Sequence, residues 1–398
     1  MTIPRIDRRA FLRMGAVGAV GLIGAGAIRF ASGQDDPSAP PRKELIVHSK
    51  DPPNGEPALE QLADEALTPF ERFFVRNHGS TPTIDVADYR LEISGLVRNA
   101  LAISYQQLNV RFRPQKVEAT LTCAGNRRSE HNLVKEVKGV PWGAGAIGNA
   151  RWTGVPLSVL LRAAEVKEEA KHVWFEGLDS VKHGGEMIAF GGSIPIDRAM
   201  AGPDEGGALI AYQMNGRPLG AEHGYPARAI VPGYIGARSV KWLGRIVVSD
   251  RPSDNHFLQG AYKIITGDDP EELAKAPPIY EFPINAAICV PASGAMLTAG
   301  TIDVRGYALA PGEPDRTIDR VELSSDGGTT WTAAEFTSPA RAFAWRLWKA
   351  KLPVTPDTRE LIVRAIDSKG DVQPERVDWN AKGYLYNGWH RVGVRVDS

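Results

Sequence analysis

Glycine and proline constrain this chain more than any other feature. There are 41 glycines and 29 prolines, 70 of 398 residues. Glycine leaves the backbone unrestricted and proline removes a hydrogen-bond donor, so this density favours turns, short strands and loops over long helices. At 398 residues the chain can bury two or three separate cores. Only two cysteines occur, Cys123 and Cys289. Two thiols cannot build a disulfide scaffold, a Cys-rich zinc site or an iron–sulfur cluster. No C-x-x-C-H string is present, which excludes covalent c-type haem.

Lys and Arg total 47, as do Asp and Glu, so bulk positive charge does not recruit nucleic acid. The balance hides an asymmetry. Residues 1–33 hold five arginines (Arg5, Arg8, Arg9, Arg13, Arg29) and one acid, Asp7; the remainder holds 42 basic and 46 acidic residues. The paired Arg8-Arg9 precede an uncharged run, Met14 to Ile28, too short and too rich in Gly and Ala to span a bilayer. This segment resembles a twin-arginine export signal. The resemblance implies removal of residues 1–33, a periplasmic or otherwise exported protein, no stable membrane span after cleavage, and cofactor loading before export. The alternative is an uncleaved anchor helix.

Residues 34–58, rich in proline and charge, are expected to form an extended N-terminal arm. A first large domain, 59–266, follows. Tyr89, Leu91 and Ile93 alternate with polar residues, as do Val117, Ala119 and Leu121, which deliver Cys123 at a strand end. Pro156 opens a helix over Leu157 to Ala164. His172–Glu176 and Ile246–Ser249 read as further strands. Residues 267–278 read as a linker. Beyond it, 279–398 changes character. Thr301–Leu309, Arg320–Ser324, Thr329–Phe336, Ala342–Lys351 and Glu360–Asp367 read as strands, with Asp326-Gly327-Gly328 as a tight hairpin turn. The expected fold class is α+β: a mixed α/β domain followed by an immunoglobulin-like β-sandwich.

The most informative string is Leu121-Thr122-Cys123-Ala124-Gly125-Asn126-Arg127-Arg128. Arginine near a thiol favours the thiolate, which is either a nucleophile or a soft-metal ligand. A lone cysteine is otherwise a small buried hydrophobe, as Cys289 in its apolar run is expected to be. Phe73-Phe74-Val75-Arg76-Asn77-His78 places Arg and His after an apolar run. His223-Gly224-Tyr225-Pro226-Ala227-Arg228 precedes Gly236-Ala237-Arg238-Ser239-Val240-Lys241-Trp242. Glycine-rich loops admit a ligand close to the backbone, and Arg and Lys bind phosphate or another oxyanion.

Together these strings, with Trp142 to Leu157, resemble the sulfite oxidase family of molybdenum enzymes, over about Pro69 to the C-terminus. The resemblance implies that Cys123 is the protein ligand to molybdenum. One molybdopterin per subunit supplies the remaining sulfur ligands, with no haem or flavin in this chain. It implies pterin contacts at Phe74, Val75, Arg76, Asn77, His78, Asp179, His223, Arg228, Ser239, Val240 and Lys241. It implies a cationic substrate pocket from Arg76, Arg128, Trp142, Tyr262 and Lys382, with Tyr262, Arg76 and Cys123 at the reaction centre. Lys382 departs from the family pattern, where an arginine stands; it keeps the charge and loses the bidentate fork.

The implied reaction is oxidation of sulfite to sulfate by oxygen-atom transfer. Electrons leave to an external acceptor such as a c-type cytochrome, and the sandwich makes a homodimer. Rival readings are a sulfane or other sulfur-compound dehydrogenase of the same fold, a nitrate reductase subunit, a methionine-sulfoxide reductase relative, and a cofactor-free binding or adhesion protein.

Overall fold

The computed structural model describes residues 44–397. The export-signal reading over residues 1–33, and residues 34–43 of the expected arm, lie outside them.

The rest of that arm is not a simple extended segment. Strand β1 (Leu45–Lys50) turns back through Asp51 and Pro52 into β2 (Pro53–Pro57), and β2 pairs with β3 (Val75–Arg76) through Asn54↔Arg76 and Gly55↔Val75. Prolines at the turn cost no ladder bond, because edge and turn positions need no N–H. Asn54 and Glu56 are buried against the domain, so polar side chains fasten the hairpin.

Two five-stranded sheets build the first domain. In one the order is Gly191–Pro195, His172–Gly177, Leu243–Ser249, Arg90–Gly95, Leu101–Ser104. Its pairing of Leu243–Ser249 with Arg90–Gly95 is parallel. The expected alternation holds: Leu91 and Ile93 are fully buried with Leu157, Leu160 and Leu161 of the helix Leu157–Ala164. Each such side chain contributes roughly 1.5–3 kcal/mol by leaving water. The other sheet runs Arg217–Pro218, Leu209–Met214, Ile147–Pro156, Gln115–Thr122, with Arg228–Ile230 paired to Leu209–Met214. Gln115–Thr122 pairs with the long strand Ile147–Pro156 without a register break, from Gln115↔Gly154 to Thr122↔Ile147. That ladder fixes where Cys123 emerges.

The C-terminal part is a β-sandwich of two four-stranded sheets. One holds Asn285–Val290, Gly300–Leu309, Arg346–Val354 and Glu335–Phe336; the other holds Thr332–Ala333, Ile318–Ser324, Glu360–Asp367 and His390–Gly393. Val304, Val321, Leu323, Trp348, Leu361 and Val363 fill the space between. The fold class is the one expected, and two local readings change. The strand expected over Thr329–Phe336 is reduced to Thr332–Ala333 and Glu335–Phe336. Asp326 captures the backbone N–H groups of Thr329 and Thr330 instead, so the Asp326-Gly327-Gly328 turn is an Asp-capped loop. The expected linker contains a short helix, Pro270–Lys275, capped by the Asp269 side chain. No helix among the described residues is long and apolar enough to cross a membrane.

Candidate active site

Cys123 follows the last residue of its strand. Its N–H donates to the Ala146 carbonyl at 2.9 Å and its own carbonyl accepts from Asn126 N–H at 2.9 Å. The resulting turn brings Gly125 N–H to 3.4 Å from Sγ. Arg127 sits at φ 65° and reverses the chain. Its guanidinium, fully buried, clamps Glu130 at 2.6 and 2.7 Å and the Gly388 carbonyl at 2.7 Å. The Cys123 turn is thereby fastened to the C-terminal segment. Burial alone resists ionisation of Glu130, but Arg127 outweighs it and holds that carboxyl below its ordinary range.

A cavity opens beside Cys123. Phe74, Arg76, Asn77, His78, Asp179, His223, Arg228, Ser239, Lys241 and Tyr262 line it together, so chain segments far apart in sequence meet there. Val75 and Val240 belong to the same two strings, but their side chains are buried in the core. Strand alternation explains Val75, since β3 presents Arg76 to the cavity and Val75 to the opposite side.

Arg76, His78 and Tyr262 form one network. Arg76 Nη2 donates to His78 Nε2 at 2.8 Å, and the Tyr262 hydroxyl lies 3.0 Å from the same nitrogen. Arginine cannot accept a hydrogen bond, so Nε2 carries the lone pair and Nδ1 the proton. Burial, then the positive charges of Arg76 and Lys241, push His78 well below the usual histidine range and keep it neutral. Burial also raises the Tyr262 phenol, against the opposing pull of Arg76, so Tyr262 is a hydroxyl donor.

The other expected pocket residues stand further out. Arg128 is buried and donates to the Lys382 carbonyl at 3.1 Å and the Val140 carbonyl at 2.9 Å. A Cβ on Gly125 would stand 2.6 Å from its Nη2, and one on Gly383 would stand 2.6 Å from its Cγ. Glycine at both positions leaves the space this side chain occupies. Lys382 meets Arg128 through its backbone, and its ammonium acts on His256. Trp142 is fully buried and lies outside the cavity wall. Its ring meets His48 edge-on at 4.9 Å. Trp142 packs beside the Cys123 turn, where its carbonyl accepts from Ser129 N–H, and its buried indole N–H has no hydrogen-bond partner.

Tyr384 escaped sequence reading. It stacks on Tyr262 with centroids 5.3 Å apart, and the Arg128 guanidinium lies 5.2 Å from its ring centroid. Burial raises its phenol. Phe190 lines the cavity, and no motif signal marked it or Tyr384; Trp242, at the end of the Gly236–Trp242 string, lines the cavity as well. Glu56 was equally silent. Its carboxylate accepts from Gly143 N–H at 2.8 Å and Gly145 N–H at 3.0 Å, in the turn that precedes the Cys123 partner Ala146.

A family model described as an oxidoreductase molybdopterin binding domain matches residues 78–257, and one described as a Mo-co oxidoreductase dimerisation domain matches residues 276–397. Sulfite oxidase of Arabidopsis thaliana is 37% identical over 385 residues, covering 90% of this chain and 95% of that protein. The chain belongs to the sulfite oxidase family of molybdopterin oxidoreductases. Sulfite oxidase of Gallus gallus is 42% identical, covering 89% of this chain and 80% of that protein. The mitochondrial sulfite oxidase of Rattus norvegicus is 43% identical, and the chain spans 66% of that protein's length. Among solved structures, the sulfane dehydrogenase SoxCD of Paracoccus pantotrophus superposes with a TM-score of 0.75 at 27% identity, covering 94% of this chain and 98% of that one.

The donor set fits a sulfite oxidase family cofactor. Arg228 is buried, donates to backbone carbonyls (His223 and Ser239, both 2.9 Å; Ala229, 3.4 Å), and has no ion-pair partner among the described residues. Burial pulls its guanidinium down to about 9, a penalty that a bound phosphate relieves. Asp179 Oδ1 lies buried without a hydrogen-bond partner and in the cavity wall. Burial raises this carboxyl against the pull of Lys241. It is an acceptor awaiting N–H donors, which a pterin ring carries. Cys123 offers a soft thiolate donor of the kind such a metal would take.

Proposed function

We propose that this protein oxidises sulfite to sulfate, with Cys123 as the protein ligand of a molybdenum–molybdopterin. One observation carries the reading: Cys123, Arg76, His78 and Tyr262 share one cavity wall with the phosphate-suited Arg228. The curated relatives named sulfite oxidase support it. When bound, the molybdenum cofactor supplies the oxygen-atom transfer and accepts two electrons.

The chain's own groups supply binding and orientation. Arg228, Ser239 and Lys241 receive the phosphate, and Asp179 and His223 receive the pterin. Arg76 attracts a small dianion, strengthened by the low dielectric of the cavity. Neutral His78 accepts from Arg76 and from the Tyr262 hydroxyl through Nε2 and so holds both in fixed relation beside the reacting centre. Arg128 adds positive charge behind Tyr384. Electrons pass to an external acceptor, a c-type cytochrome by chemical class. The sandwich forms a homodimer interface, and residues 1–33 direct twin-arginine export to the periplasm.

A second reading is oxidation of a sulfane sulfur substrate, favoured by the near-complete overlay on SoxCD. Ferricyanide reduction by metal-loaded protein separates the two. The first expects sulfite-dependent reduction; reduction with a sulfane substrate and none with sulfite supports the second. Protein purified from the native host with neither molybdenum nor pterin would reject both.

A further inference from the structure

The hairpin of residues 45–57 lies outside both family-model matches, 78–257 and 276–397, yet it reaches into the site. Asn54 is 3% exposed. Its Oδ1 accepts from Asn77 N–H at 3.0 Å and from Arg76 Nη1 at 3.2 Å. Its Nδ2 donates to Ser49 Oγ and to the Pro52 carbonyl, both at 2.9 Å. The amide is therefore locked: the hairpin turn takes the NH₂ end, and the oxygen end can only face β3.

The Arg76 guanidinium is held at two points with opposite demands. Nη2 is committed to His78 Nε2, and Nη1 is shared between Asn54 Oδ1 and the Asn77 carbonyl. Among the described residues, no carboxylate within ion-pair distance holds Arg76. Neutral acceptors orient the fork and leave its charge uncompensated, which suits a guanidinium reserved for an external anion. A carboxylate at position 54 would orient it as well but would cancel that charge.

We propose that Asn54 is a positioning residue that sets Arg76 for oxyanion binding, so that the N-terminal hairpin is part of the active-site apparatus. The proposal rests on the reading that Arg76 receives the oxyanion. Loss of one such hydrogen bond to a charged group is worth about tenfold or somewhat more in affinity.

The test uses full-length, molybdenum-loaded protein and inorganic sulfate as the probe, with Kd read from Trp fluorescence and KM and kcat read with sulfite. Asn54→Ala is expected to raise the sulfate Kd and the sulfite KM by about tenfold, with kcat within about threefold and molybdenum content unchanged. Asn54→Asp, which keeps the acceptor but adds charge, is expected to weaken sulfate at least as much. Glu56→Gln is the control for mere loosening, because Glu56 sits on the same strand but contacts the Gly143–Gly145 turn. It is expected to lower the melting temperature with sulfate Kd within about twofold. If Asn54→Ala does not fold, Ser49→Ala frees the amide instead and is expected to raise Kd about two- to threefold. Equal effects from Asn54→Ala and Glu56→Gln overturn the proposal, as does an unchanged Kd in Asn54→Ala or, in its stead, Ser49→Ala. Arg76→Ala separates the premise: if sulfate affinity survives that change, the oxyanion reading of Arg76 fails; if it falls while Asn54→Ala is silent, only the positioning role fails.

Discussion

The hydroxyl of Tyr262 lies 3.0 Å from Nε2 of His78. Tyr262 follows a short π-helical turn, Phe257–Ala261, and His78 follows β3, 184 residues earlier. Because Arg76 donates to the same nitrogen, the three side chains stand or fall together. Tyr262→Phe keeps the ring stacked on Tyr384 but removes the hydroxyl. A drop in kcat of about 10- to 100-fold is expected, from the worth of a hydrogen bond to a charged or polarised group. Stopped-flow reduction with sulfite measures it; an unchanged rate places the hydroxyl outside the reaction.

Tyr384 bridges Arg128 and Tyr262. Removing its ring in Tyr384→Ala takes away a cation–π contact of about 0.5–2 kcal/mol, and a rise in KM of about 3- to 30-fold is expected. Tyr384→Phe preserves the platform and is expected to stay near the parent value. Steady-state kinetics of both variants checks this, and equal losses would instead implicate the hydroxyl.

Cys123→Ala should abolish turnover while leaving the fold in place. Asp179, Arg228 and Lys241, the groups proposed to hold the pterin, are not held by the thiol. A sulfite assay and circular dichroism provide the check. Sulfite turnover retained in the variant contradicts the ligand assignment.

Arg127 is fully buried and Glu130 is its charge partner. Glu130→Gln leaves a buried guanidinium without compensation, at a cost of about 3–5 kcal/mol. Urea unfolding is expected to show that loss. A shift under about 1 kcal/mol would mean that the Gly388 and Trp389 carbonyls suffice to hold the cation.

His390 is buried, with Nδ1 accepting from Ile288 N–H at 3.1 Å. Burial, then Arg127, pull it down to about 4, whereas an unfolded histidine titrates near 6.5. Below pH 6.5 the unfolded chain binds the extra proton, so stability is complete above that pH and declines as pH falls toward about 4. The loss is on the order of 3 kcal/mol from this group. His390→Asn keeps an acceptor near the Nδ1 position and removes the proton site. Its unfolding midpoint is expected to fall less between pH 6.5 and 4 than that of the parent; parallel slopes would rule His390 out as the cause.

Local signals were readable wherever one face of an element decides its energy. The period-two pattern at Tyr89, Leu91 and Ile93, and at Val117, Ala119 and Leu121, identifies strands because alternate residues meet core and solvent. Alternation also tells why Arg76 and Val75 separate. The proline-rich stretch near residue 50 misled for the converse reason. Its apolar content is low, and what holds it is a set of buried polar bonds from Asn54 and Glu56, which no periodicity announces.

The sequence by itself determined the chemistry on offer: one strand-end cysteine followed by arginines, donor-rich glycine loops, and a second region of short strands. Residue type and neighbour spacing suffice for that, since they depend on contacts within a few positions. Only the tertiary structure decided which of those groups converge. Asn54 meets Arg76, Tyr262 meets His78, and Tyr384 inserts between Tyr262 and Arg128, while Trp142 turns inward. These contacts join segments 22 to more than 180 residues apart. Their pairing is set by how the sheets and the hairpin pack, and packing is a property of the whole chain rather than of any window within it.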